Sequence, residues 1–121
     1  MGFENIKNKL DGVRLKPAHI RKDTETVKEK MIERKLVNAV KEMGGISPKF
    51  VSPGFDGMPD RIILLPGSKI AFIEVKATGK KPRPLQLARH ELLRKLGFKV
   101  FVLDDAADIN KILKEIGGFH K

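Results

Sequence analysis

The amino-acid sequence predicts an α/β domain, a mixed four-stranded sheet flanked by helices in the order αβββαβα. Three observations carry this. Two apolar, β-branched runs, DRIILLP and IAFIEVK, are separated only by the turn residues of PGSK and read as an antiparallel hairpin. A further run, FKVFVL, follows a helix-periodic segment, and a strand, crossover helix and strand make a parallel, right-handed unit. Helical periodicity also stands before and after these runs. With 121 residues, 40% of them hydrophobic, the chain can build one good core but not two.

Residues 1–22 show weak periodicity, and their six Lys or Arg against Glu4 and Asp11 leave a charge of +4, so they read as a basic N-terminal arm. Residues 23–121 form the single domain. Asp23 or Thr24 is an N-cap for a helix in which Val27, Met31, Leu36, Val40 and Met43 recur at helical spacings, and Gly44-Gly45 ends it. KFV, ahead of the breakers in SPGFDGMP, reads as the first strand, and the hairpin supplies the next two. After the basic loop TGKKPRP, Pro84 starts a helix through LQLARHELLRKL that Gly97 closes. FKVFVL is the last strand. Asp104 or Asp105 caps a final helix, AADINKILKEI, ended by Gly117-Gly118.

The formal charge of +10 favours a polyanionic partner, with nucleic acid the leading choice. Seven basic residues fall between Lys76 and Lys95 against Glu91 alone, which marks a binding face including Lys80, Lys81, Arg83 and Arg89. Aromatic residues are seven Phe with no Trp or Tyr, so phosphate contacts rather than base stacking are expected to dominate. Without cysteine there is no disulfide framework and no thiolate zinc site, and the three histidines lie far apart. Any metal must therefore rest mainly on carboxylates. No apolar run reaches membrane-spanning length and no signal-peptide core is present, so a soluble, cytoplasmic protein is expected.

The residues that point to chemistry lie in GMPDRIILLPGSKIAFIEVK. Asp60 begins one strand of the hairpin, while Glu74 and Lys76 stand near the end of the other, so these ends are neighbours. Alternation puts Glu74 and Lys76 on one face, about 7 Å apart along the strand, with Val75 facing the other way. Two solvated charges or a strand-end ion pair would account for Glu74 and Lys76 alone. Asp60 supplies a second hard oxygen, however, the Val75 carbonyl offers a third, and a basic loop follows directly. Two carboxylates suit Mg²⁺ or Mn²⁺, which keep several waters and bind phosphate oxygens. In such a site Lys76 positions or activates the attacking water and steadies the developing charge. Glu25, Glu29 and Glu33 recur at four-residue intervals along one helix face, from which a further acid can come. A metal role for His90 would need partners that its helix does not supply. Asp56 reads as a turn former or a further ligand.

The spacing of Pro59-Asp60 and Glu74-Val75-Lys76 resembles the signature of the PD-(D/E)XK nuclease superfamily. The wider segments IERKLVNAVKEMGG, GMPDRIILL, FIEVKATGKKPRPLQ and LRKLGFKVFVL, between residues 30 and 104, resemble the VRR-NUC family of replication-repair nucleases, which includes small stand-alone phage members. The resemblance implies a restriction-endonuclease-like core and divalent-metal-dependent DNA cleavage. It places Glu33 at the helix glutamate, Asp60 and Glu74 at metal-ligand positions, Lys76 at the catalytic lysine and Gln86 at a glutamine that orients the lysine or meets substrate. Glu29 is the alternative to Glu33. It further implies a homodimer acting on branched or Holliday junction DNA, in the cytoplasm of a bacterial host if phage-encoded. The competing expectations are a restriction-type endonuclease of the same fold and a nucleic-acid-binding module without activity. The intact set Glu33, Asp60, Glu74 and Lys76 speaks against the latter.

Overall fold

The computed structural model describes residues 17–117, and most of the expected basic arm, residues 1–16, lies outside them. Helix α1 spans Pro17–Glu42, β1 Arg61–Leu65, β2 Lys69–Val75, α2 Pro84–Lys95 and β3 Lys99–Leu103. A 3₁₀ turn at Ala106–Asp108 leads into α3, Ile109–Gly117. The first helix thus starts six residues before the expected caps. Asp23 and Thr24 are internal to it, because the preceding residues tolerate helix and Pro17, with no N–H to satisfy, is well suited to the first helical position.

The sheet has three strands in the order β1-β2-β3, antiparallel between β1 and β2 and parallel between β2 and β3. The expected fourth strand, KFV, is not one. Instead two isolated antiparallel bridges, Ile46 to Leu64 and Lys49 to Arg61, lay this segment along β1. The reason is Pro48. Ile46 and Leu64 exchange both backbone hydrogen bonds and the Pro48 carbonyl accepts from Ile62, but Pro48 has no N–H to return, and the ladder breaks there.

Two layers of apolar side chains sandwich the sheet. On one face Ile63, Leu65, Ala71, Ile73, Val75 and Leu103 meet Ile32, Leu36 and Val40 of α1 and Ile109, Ile112, Leu113 and Ile116 of α3. On the other, Phe72 and Val100 pack with Leu93 of α2, backed by Phe50, Met58 and Ile62. Edge-to-face contacts run from Phe50 to Phe72 and from Phe72 to Phe98, with centroids 5.9 and 5.6 Å apart. The buried stripe of α1 is Ile32, Leu36 and Val40. Val27 and Met31, expected to join it, are exposed, since one residue of offset turns a helical side chain by about 100°.

Both α1 and α2 end in the same way. Gly44 and Gly97 adopt φ of +86° and +101°, and the bonds from Gly45 N–H to the Val40 carbonyl and from Phe98 N–H to the Leu93 carbonyl wrap each terminus. The α2 closure is what turns the chain into β3, beside β2 and its Glu74.

Candidate active site

Hairpin register builds the centre of the site. Arg61 pairs with Ile73, so continuing the ladder by one residue sets Asp60 opposite Glu74, on the sheet face that carries Phe72. The Val75 N–H donates to Asp60 Oδ1 at 3.1 Å, which ties the acid across the strands. Glu74 is buried beneath α2. Its Oε2 accepts from Gln86 Nε2 at 2.9 Å and lies 3.4 Å from Lys76 Nζ. Gln86 is itself oriented from its other end, where its carbonyl oxygen accepts from the Arg83 N–H at 2.8 Å and closes the first turn of α2. His90, one helical turn on and fully buried, brings Nε2 to 3.6 Å from Glu74 Oε1.

Such crowding makes ionisation costly. Burial, reinforced by the negative charge of Asp60 and opposed by Lys76, raises the Glu74 carboxyl to about 7. Burial also raises Asp60 to about 6, against the stabilising Val75 N–H and with the charges of Glu33 and Glu29 adding to the rise. His90 is lowered, first by burial and then by Arg94 and Lys76. Both acids therefore titrate above the usual carboxylate range, Glu74 close to neutrality despite Lys76 beside it.

The α1 acids divide. Glu33 is paired with Arg61, whose Nε and terminal nitrogen both lie 3.0 Å from one carboxylate oxygen. Arg61 also donates to the Ser47 carbonyl. Strand alternation turns Arg61 to the face opposite Asp60, where it meets Glu33, yet the Glu33 charge still bears on Asp60, ahead of that of Glu29. Glu29, one turn earlier, is the α1 acid whose charge bears on both Asp60 and Glu74.

Of the expected nucleic-acid contacts, Lys80, Lys81 and Arg83 are exposed on the loop between β2 and α2. Arg89, half-buried, also has contacts within the fold. Its Nε donates to the Asp56 carbonyl at 2.7 Å and its guanidinium lies 3.9 Å from the centroid of the Phe55 ring, so it clamps the loop before Pro59-Asp60 onto α2. Asp56 serves there through its backbone. Asp105 caps the 3₁₀ turn, its side chain accepting from the Ala107 N–H at 3.0 Å. Arg61 and the pairing of His90 with Glu74 were missed by sequence reasoning. Strand alternation signals the first, whereas only the docking of α2 reveals the second.

Among the described residues, no three acidic or imidazole side chains converge closely enough to enclose a metal ion by themselves. The donor set nevertheless fits Mg²⁺ or Mn²⁺, which need only one or two carboxylates when waters and phosphate oxygens complete the shell. Asp60 and Glu74 are two such carboxylates, and buried Glu74 Oε1 has no hydrogen-bond partner.

No family model matches the chain. A phage protein, "Putative nuclease p44" of Acyrthosiphon pisum secondary endosymbiont phage 1, is 49% identical over 90 residues, spanning 74% of this chain and 96% of that protein. A solved structure of a VRR-NUC domain superposes with a TM-score of 0.68 at 33% identity, covering 72% of this chain and 95% of the solved one.

Proposed function

Because this chain belongs to the VRR-NUC family of nucleases, in its small phage-type form, we propose that it hydrolyses phosphodiester bonds in DNA with Mg²⁺ or Mn²⁺ as cofactor. The observation that carries this reading is the pairing of Asp60 with Glu74 across the hairpin end, both raised in pKa, with Lys76 alongside. Desolvation of buried Glu74 and half-buried Asp60, with the Asp60 charge adding at Glu74, is the electrostatic demand that a divalent cation meets.

Asp60, Glu74 and the Val75 carbonyl would hold the ion, which supplies a water of lowered pKa and offsets charge on the phosphate. Lys76 presents its ammonium beside Glu74 and stabilises the pentacovalent phosphate, whose extra negative charge exists only during the reaction. Gln86 fixes Glu74 by donating from its amide nitrogen, while its amide oxygen accepts from the Arg83 N–H at the helix terminus, so the carboxylate cannot swing freely. Lys80, Lys81 and Arg83 grip the sugar-phosphate backbone. Both α1 acids bear on Asp60, Glu33 ahead of Glu29, and we assign the cation to Glu29 because Arg61 is already the ion-pair partner of Glu33. The finer reading is cleavage of branched DNA by a homodimer, for which the support is the family's resemblance to junction resolvases. Among the described residues no helix is long and apolar enough to cross a membrane.

The test compares cleavage of end-labelled four-way junction, splayed-arm, duplex and single-stranded DNA in Mg²⁺, Mn²⁺ or EDTA, using wild type, Glu74→Ala and Lys76→Ala. Metal-dependent cutting lost in both variants, with Lys76→Ala still folded and still binding DNA, is the expected result. Full activity in Lys76→Ala would remove the lysine from the mechanism. Wild type that binds DNA but cuts nothing with either metal would make the domain a binding module instead.

A further inference from the structure

Four buried polar side-chain atoms lack a hydrogen-bond partner among the described residues, and three of them belong to one pair of side chains, Glu74 Oε1 with His90 Nδ1 and Nε2, of which Nε2 faces Oε1. The chemistry above makes no use of His90. Resting on the metal-dependent reading, we propose that His90 is a positioning residue for Glu74, its Nε2–H holding Oε1 while Gln86 holds Oε2.

Gln86 and His90 are four residues apart on α2 and therefore share a face, the one turned onto β2. Both are buried, to 6% and 0% exposure. Their donors approach different oxygens of one carboxylate. Gln86 Nε2 and Lys76 Nζ address Oε2, while Oε1 meets only the imidazole, at 3.6 Å. Closing that gap by a few tenths of an ångström makes a hydrogen bond of ordinary length. A carboxylate held by one oxygen can rotate about that bond, whereas one held by both has its plane set, and with it the direction of its remaining lone pairs. Of the two ring nitrogens, Nε2 is the one that faces Oε1, and its N–H is the donor that can hold that oxygen when the carboxylate is ionised to take a cation. Partners behind a ligand of this kind typically change metal affinity by about 10-fold to 100-fold.

The experiment measures Mn²⁺ binding by the electron paramagnetic resonance of free ion, the Mg²⁺ dependence of cleavage, and thermal melting, for wild type, His90→Phe, His90→Gln and His90→Asn. Phenylalanine fills the ring volume without a donor. Glutamine places an amide N–H near the position of Nε2, and asparagine near that of Nδ1. Expected is a folded His90→Phe that binds Mn²⁺ roughly 10-fold to 100-fold more weakly and needs correspondingly more Mg²⁺, while its rate at saturating metal stays near wild type. Glutamine should recover most of the loss and asparagine little, a discrimination that general damage to packing would not produce. Equal Mn²⁺ affinity in wild type and all three variants overturns the role of His90 and leaves the metal reading standing. If His90→Phe fails to fold, the remaining pair decides, since equal weakening by Gln and Asn refutes the Nε2 contact. Wild type that neither binds Mn²⁺ nor cuts DNA overturns the metal reading, and the role of His90 with it.

Discussion

Replacing Glu74 with glutamine should make the metal-free protein more stable while destroying its activity. Glu74 is 3% exposed, and its carboxyl is raised from an ordinary 4.5 to about 7, chiefly by burial and then by the charge of Asp60. At about 1.4 kcal/mol for each pKa unit, ionising this group in the folded protein costs about 3 kcal/mol more than in the unfolded chain. Below pH 4.5 the group is protonated in both states and contributes no such penalty. As pH rises through about 7 the folded protein must ionise a buried acid, and the stability present at low pH is lost. Glutamine is never charged and keeps an oxygen for Gln86 Nε2. After allowance for imperfect fit beside His90, the variant should gain roughly 1–3 kcal/mol at pH 8–9 and almost nothing at pH 4–5. Asp60, raised to about 6, leaves it a weaker dependence of the same sign. The assay is urea unfolding in EDTA from pH 4.5 to 9, repeated with excess Mg²⁺. The ion should stabilise wild type by mass action and leave the variant nearly unmoved. A variant no more stable than wild type at pH 8–9, or a difference that ignores pH, would refute the claim that Glu74 is electrostatically strained.

Neutralising Lys80, Lys81 and Arg83 together should weaken DNA binding and reduce the slope of log affinity against log salt by up to about 3, one for each phosphate that no longer meets a cation. An unchanged slope in a salt titration would move the binding face elsewhere. Arg89→Ala should alter that slope little, because its guanidinium holds Phe55 and the Asp56 carbonyl; it should instead speed hydrogen exchange in residues 52–58, read by mass spectrometry. Glu29→Gln should raise the Mg²⁺ concentration for half-maximal cleavage more than Glu33→Gln, while Glu33→Gln should lower melting temperature more, having left the half-buried Arg61 without its counter-charge. The reverse pattern in metal titrations and melts would return the ligand role to Glu33.

Much of the site follows from short-range rules that a sequence carries openly. Turn residues between two apolar runs require a hairpin, a hairpin brings Asp60 beside Glu74, and alternation aligns Lys76 with Glu74 and turns Val75 away. Pro84 and Gly97 bracket α2 because one suits a helix start and the other a left-handed ending. Such features depend on neighbours a few residues away. Docking depends on residues far apart, and there the tertiary structure decides. Pro48 left the first strand as two bridges only because that segment lies along β1. Periodicity identified α1 as amphipathic, yet the packing of the helix on the sheet selected Ile32 over Met31. Strand alternation sends Arg61 away from Asp60, but the approach of α1 is what gives it Glu33. Arg89 carries a charge suited to phosphate, and only the tertiary structure adds its contacts with Phe55 and the Asp56 carbonyl. His90, an ordinary helix residue by sequence, stands behind Glu74 because the rotation of α2 about its axis is set by packing against β2 and β3, which no local pattern encodes.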